Sequence, residues 1–170
     1  MLLPAMGYFT AIGVRDAIVP SYLLSSMAIT FFSYTSFVLI GYLKDIEADR
    51  ATGYKTFPVI FGWKRTVNVG HVIALVTLFL FWYSYNLYSY GLVFGIAGSL
   101  ILIAGQVQAS YSENEDEKDA LIPILSTVRS FILLHIAIVL NFQPQWWFPM
   151  LLFYGLFEIV LFYRPSKYQV

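Results

Sequence analysis

Long stretches of this sequence carry no charge. No Asp, Glu, Lys or Arg occurs from Ala17 to Leu43, from Thr66 to Ser112, or from Ser130 to Phe157. A helix rises 1.5 Å per residue and needs about 20 apolar residues to cross a bilayer core. The first and third gaps each fit one crossing with its turns. The middle gap fits two, joined by a short polar tip. Of the 170 residues, 59% are hydrophobic and 12% are charged, half the roughly 25% charge of a soluble domain. The expected fold class is therefore all-α, a polytopic transmembrane helical bundle of about five or six segments.

Six apolar segments can be read. They run about Leu2–Gly13, too short for a complete crossing, then Tyr22–Leu43, Val67–Tyr83, Leu92–Ala109, Leu121–Leu140 and Phe148–Phe162. Ten basic residues balance ten acidic ones, which excludes a strongly basic nucleic-acid binder. With no cysteine, disulfides, thiolate metal sites and cysteine nucleophiles are excluded as well. His71 and His135 are too far apart in sequence to form a local metal-ligand motif.

The charged connections alternate. The one after the second segment carries Lys44, Arg50, Lys55, Lys64 and Arg65, the one after the fourth is the acidic run Glu113–Asp119, and the tail holds Arg164 and Lys167. The tips between, near Ser84–Tyr90 and Asn141–Trp147, are uncharged and aromatic. The positive-inside bias puts the charged loops on the cytoplasmic side and Trp146, Trp147 and the tyrosines in an interfacial belt opposite. Arg15 and Asp16 fall on that opposite side, one charge of each sign. Met1 begins inside apolar sequence with no basic region before it, unlike a secretory signal, and reads as an internal methionine of a longer protein.

The richest connection is Tyr42–Gly62. Asp45 and Asp49 are four residues apart, on one face if the membrane helix continues through them, while Glu47 points elsewhere. Two carboxylates at a helix end suit Mg²⁺, which binds through one or two carboxylates plus substrate phosphates. Lys55 and Arg50 lie within reach of a diphosphate. Gly53 is expected to end the helix, and Thr56 and Pro58 follow where the chain turns back. A bare D-x-x-x-D in a loop is more often a solvated connection than a site. The longer string D-I-E-A-D-R-A-T-G-Y-K-T-F-P-V-I-F-G reverses that balance.

This string resembles the second aspartate-rich motif of the UbiA superfamily of intramembrane prenyltransferases, matched at Asp45, Asp49, Arg50, Gly53, Lys55, Thr56, Pro58 and Gly62. The form is similar to that of members acting on naphthoquinone precursors, chlorophyllides and archaeal-type glycerol lipids. The resemblance implies a helical membrane enzyme in which two aspartate-rich motifs bind Mg²⁺ and the diphosphate of a polyprenyl donor. Ionisation would leave an allylic cation for a lipophilic acceptor, such as an aromatic or quinone precursor, to attack. It assigns Asp45 and Asp49 as metal ligands and Arg50 and Lys55 as diphosphate contacts, with Gly53, Thr56 and Pro58 shaping the loop. The superfamily's first motif, N-D-x-x-D-x-x-x-D, is absent before Asp45, so residues 1–170 are expected to be the C-terminal portion of a larger helical enzyme. Half of a split enzyme and a non-catalytic membrane remnant stay open as alternatives. Membrane CDP-alcohol phosphotransferases also cluster aspartates, but their D-G-x-x-A-R stretch does not occur.

Other residues carry plainer expectations. Arg129 and Glu158 lie inside apolar segments, where an ion pair between adjacent helices outweighs substrate binding. His135 reads as a satisfied interior histidine, and His71 has only a weak claim to a pocket role. The acidic run reads as a solvated loop, with a lid as the lesser reading. Gly95, Ala97, Gly98 and Gly105 are expected to allow close helix approach. One carboxylate pair neutralises a diphosphate poorly, so the isolated chain is expected to be inactive. Mg²⁺-dependent prenyl transfer by the purified 170-residue chain would contradict this.

Overall fold

A computed structural model describes residues 2–12, 19–112 and 116–163. Arg15, Asp16, the Glu113–Glu115 part of the acidic run, Arg164 and Lys167 lie outside the described residues. The described chain is helical throughout, with no strand: α1 Leu2–Ile12, α2 Ser21–Gly41, α3 Ile46–Thr52, α4 Phe57–Phe61, α5 Trp63–Ser84, α6 Ser89–Ser110, α7 Leu121–Phe142 and α8 Trp147–Tyr163. Five stretches are long and apolar enough to cross a membrane, containing α2, α5, α6, α7 and α8. The first apolar segment is not among them, as its length predicted. The chain is an integral membrane protein of the all-helical class. The helices overrun the expected segments by up to four residues, because polar end residues such as Lys64 and Ser89 continue a hydrogen-bonded helix out of the apolar zone.

Successive spans run antiparallel. Tyr85 beyond the end of α5 reaches Tyr22 and Ser26 at the start of α2, while Gly70 of α5 lies against Ile40 near the end of α2. Along α6 and α7 the pairing is Gly91 with Ala137, Gly98 with Leu133 and Leu134, and Gly105 with Ser126. This α6–α7 seam is the most extensive contact between described helices. Its α6 face carries Gly91, Gly98 and Gly105, all buried and seven residues apart, two turns along one helix face, while Gly95 faces Phe81 and Leu87. Ala97, expected on this face, is instead half-buried, since one residue's offset from Gly98 rotates it by about 100° around the helix.

Hydrocarbon tails are as apolar as leucine, so burying apolar side chains between helices gains little inside a bilayer. Packing and hydrogen bonds must hold the spans together instead. The α2 interior face accordingly carries Thr30, Ser33 and Ser36, all buried, while Leu24, Phe31 and Tyr34 are exposed outward. Ser26, Thr30 and Ser33 each donate to the carbonyl four residues earlier, which satisfies a hydroxyl on its own helix. Between helices, Gln106 Nε2 donates to Ser36 Oγ at 3.3 Å and Trp82 Nε1 to Ser99 Oγ at 3.1 Å.

The outer helix α8 buries none of its residues. Near one end, Trp147 stacks on Tyr90 with ring centroids 4.9 Å apart. Toward the other, Arg129 Nε and Nη2 both donate to Glu158 at 2.8 Å. Tyr154 Oη adds a third bond to the same carboxylate at 2.6 Å. The expected ion pair is thus present as a two-pronged contact between α7 and α8, the geometry that best offsets desolvation of both charges.

A side chain at Gly105 would bring a Cβ well inside van der Waals contact of Ser126 Cβ, whereas one at Gly155 of α8 meets nothing within 4 Å. Gly105→Val is expected to lower stability by about 2 kcal/mol, and Gly155→Val to change it by less than about 0.5 kcal/mol. Unfolding midpoints in detergent check both.

Candidate functional site

The charged end of the bundle is built from the Tyr42–Gly62 connection and the start of α7. At Tyr42–Asp45 the α2 helix tightens into a 3-10 turn before resuming as α3. Asp45, at the junction, has φ −112° and ψ 15°. The two aspartates are therefore not consecutive turns of one uninterrupted α-helix, because the backbone changes its winding between them. α3 ends at Gly53, whose φ of 79° lies in the left-handed region that favours glycine. The Gly53 amide donates to Arg50 O and the Tyr54 amide to Asp49 O at 2.9 Å, closing the helix end as the sequence predicted.

Lys55 follows at an exposed position. Thr56 is extended, starts α4, and donates its hydroxyl to Asp49 Oδ2 at 2.8 Å. That bond ties the outgoing and returning arms of the loop and fixes the Asp49 carboxylate with its other oxygen free of this contact. Pro58 is buried in the first turn of α4. Gly62, at φ 82° and ψ 168°, occupies a region essentially restricted to glycine and lets α5 begin at once.

Beneath the loop lies a packed floor. Ile40, Leu43, Trp63, Val67, Ala109 and Ala120 form one buried cluster, flanked by Ile46 and Ile124. Trp63 is 3% exposed, and its indole N–H donates to Ala109 O at 3.1 Å. The acidic connection docks from the side. Asp116 caps the turn before α7 by accepting from the Lys118 amide at 2.9 Å, and Asp119 accepts from Ser112 at 2.7 Å. Glu117 Oε1 accepts the Glu47 amide of α3 at 2.6 Å. A carboxylate there satisfies an early helix amide and faces the positive end of its dipole. The described part of this run is thus joined to the motif loop rather than merely solvated.

A cavity of about 680 Å³ opens between the two connections, lined by Ile46, Glu47, Arg50, Pro58, Gly62, Trp63, Asp116, Glu117 and Lys118. Of the motif residues matched in the sequence, Arg50, Pro58 and Gly62 line it; Asp45, Asp49, Gly53, Lys55 and Thr56 do not. Glu47, expected on a different face of the helix from the aspartates, does face this space. The acidic turn residues Asp116 and Glu117 and the base Lys118 were missed as cavity residues. Alternation of loops placed them at the same end, but nothing in their spacing points to α3.

Asp45 is exposed and Asp49 half-buried. The side chains of Asp45, Arg50 and Lys55 make no hydrogen bond or ion pair with the described residues, so their charges stay available to a ligand. Among the described residues, no three His, Cys, Asp or Glu side chains are grouped to share an ion. His71 lies outside this cavity: it joins α5 to α6, with Nδ1 donating to Val67 O and Nε2 3.0 Å from Ser110 Oγ.

The family model described as the UbiA prenyltransferase family matches residues 1–128, through the motif loop and into α7. The chain belongs to the UbiA prenyltransferase family. Neither the curated proteins nor the solved structures compared with it give a match. The UbiA match stops one residue before Arg129, so the ion pair, His135 and α8 lie beyond the matched residues. In the UbiA chain the motif loop and the acidic turn share one end of the bundle, and the uncharged tips share the other. Cysteines introduced at Lys55 and Lys118 are expected to react with an impermeant maleimide from one side of a sealed vesicle, and one at Tyr88 from the opposite side. Labelling of all three from one side would contradict the antiparallel order.

Proposed function

We propose that the Tyr42–Gly62 connection is the second aspartate-rich motif of a prenyltransferase acting on a polyprenyl diphosphate and a lipophilic acceptor, such as an aromatic or quinone precursor. The observation carrying this reading is the Asp45–Asp49 pair at the mouth of a membrane helix, with Asp49 oriented by Thr56 and Asp45 exposed. Two carboxylates with substrate phosphate oxygens suit Mg²⁺, which Asp45 and Asp49 would hold. When bound there, the ion would neutralise charge that develops on the departing diphosphate.

The chain's own residues supply the rest of this reading. Asp45 and Asp49 would hold the ion, Thr56 keeps Asp49 in place, and Arg50 and Lys55 would bring positive charge to the diphosphate oxygens. The donor's C1–O bond breaks with both electrons leaving on the diphosphate. The acceptor atom then bonds to C1 and loses its proton to the surroundings. The loop is assigned to the cytoplasmic side, because Lys44, Arg50, Lys55, Lys64 and Arg65 gather there while the described opposite tips carry none. Since N-D-x-x-D-x-x-x-D does not occur before Asp45, we infer that the carboxylates of the first motif come from a segment outside this sequence. This chain would then be the C-terminal portion or one subunit of the working enzyme. The same observation favours, as second reading, a non-catalytic remnant.

In the native membrane, Asp45→Asn and Asp49→Asn are each expected to lower prenyl transfer roughly a hundredfold or more, as expected when a metal clamp is lost. Thr56→Val is expected to cost roughly tenfold through a misplaced Asp49, since misplacement by about 1 Å costs up to a hundredfold. Rates with radiolabelled donor at varied Mg²⁺ check this. Unchanged transfer in both aspartate variants would remove the assignment, and transfer absent from the unaltered protein would support the remnant.

A further inference from the structure

Asp45 stands at the N-cap position of α3, with Ile46 and Glu47 as the first two helical residues. An aspartate there ordinarily turns its carboxylate onto the amide of the second or third residue. Asp45 does not. Its side chain makes no capping bond, and its ψ of 15° is far from the extended backbone of a capping residue. The second-residue amide, that of Glu47, donates instead to Glu117 Oε1 at 2.6 Å. A carboxylate from another connection thus occupies the amide that the local aspartate would otherwise claim.

Glu117 is well anchored. Asp116 closes the Glu117–Ala120 turn, its side chain accepting from the Lys118 amide and its carbonyl from the Asp119 amide, both at 2.9 Å. Ala120 is fully buried in the floor cluster that also holds Leu43, two residues before Asp45. α3 has little else to hold it. It is seven residues long with none buried, well short of the roughly 12 residues at which a helix begins to stand alone. Among the described residues no three carboxylates are grouped to share an ion, and Glu117 faces a cavity whose lining includes neither Asp45 nor Asp49. Its place is therefore behind the aspartates rather than beside them.

We propose that Glu117 is a positioning residue for the Asp45–Asp49 pair: by capping α3 at the Glu47 amide, it keeps the Asp45 carboxylate off its own helix and free for a ligand. The role rests on the reading of Asp45 and Asp49 as metal ligands. Without Glu117, Asp45 turns inward as the cap, and only Asp49, held by Thr56, still faces the ion. The cap needs an acceptor oxygen at the right reach; it does not need the negative charge. The α6–α7 connection thereby sets the metal affinity of a site to which it contributes no ligand.

The test is Mn²⁺ binding to the chain in lipid nanodiscs with geranyl diphosphate, read by electron paramagnetic resonance. Glu117→Ala is expected to raise half-saturating Mn²⁺ at least about tenfold, the scale on which partners behind metal ligands act. Glu117→Gln keeps the acceptor and drops the charge, so it should stay within about twofold of the unaltered chain. Glu117→Asp keeps the charge and loses a methylene of reach; it should match the alanine variant, and it replaces that variant if alanine does not fold. On top of Glu117→Ala, Asp45→Asn should add no more than about threefold, because the two changes remove the same contact. Unchanged affinity in Glu117→Ala, a loss in Glu117→Gln as large as in alanine, or full additivity with Asp45→Asn would overturn the role of Glu117 while leaving the aspartates as ligands. An unaltered chain that binds no Mn²⁺ with the diphosphate would instead remove the metal reading itself, and this role with it.

Discussion

A bilayer offers no reward for moving apolar side chains from lipid to protein and a heavy penalty for stranding a charge or a backbone amide. Every described feature of this chain follows from that constraint. The spans are helical because helices satisfy their own backbone. They meet where Gly91, Gly98 and Gly105 of α6 let α7 approach, and where hydroxyls such as Thr30 and Ser33 are already bonded to their own helix. Large apolar groups such as Leu75 and Phe79 face outward. The two charges inside the spans with described geometry, Arg129 and Glu158, neutralise each other.

The same penalty concentrates the chemistry. Charged side chains excluded from the spans collect at one end, where a floor around Trp63 and Leu43 supports the motif loop. The loop is short on packing of its own, since α3 buries none of its residues. It is held instead by specific bonds: Thr56 to Asp49, the Gly53 turn, and the Glu117 carboxylate on the Glu47 amide. Such a loop can keep its carboxylates exposed to a polar ligand while the bundle beneath stays tightly packed.

The spans were legible in the sequence because charge gaps report bilayer thickness directly, and so was the Arg129–Glu158 pair, because an unpaired charge in either helix would be too costly. The helix stop at Gly53 was legible too, since glycine there has a conformational reason. The 3-10 turn at Tyr42–Asp45 was not, because Leu43 and Lys44 fit an α-helix equally well. Nor was the face of α3 that meets the cavity. That depends on Glu117, which is distant in sequence and reaches α3 only through the docking of two loops. Thr56 was read as a shaping residue; its bond to Asp49 belongs to a tertiary closure that spacing alone does not encode. For His135, the sequence reading was a satisfied interior group, and both ring nitrogens do have partners, the Phe131 carbonyl and the Thr30 hydroxyl.

The central claim is that Asp45 and Asp49 together hold a divalent ion that carries a diphosphate. Mn²⁺ substituted for Mg²⁺ reports this directly through electron–nuclear coupling. In the chain reconstituted in nanodiscs with geranyl diphosphate, the account predicts ³¹P coupling to bound Mn²⁺ that disappears in both Asp45→Asn and Asp49→Asn. Coupling that survives both substitutions, or Mn²⁺ bound with no ³¹P coupling at saturating diphosphate, would contradict it.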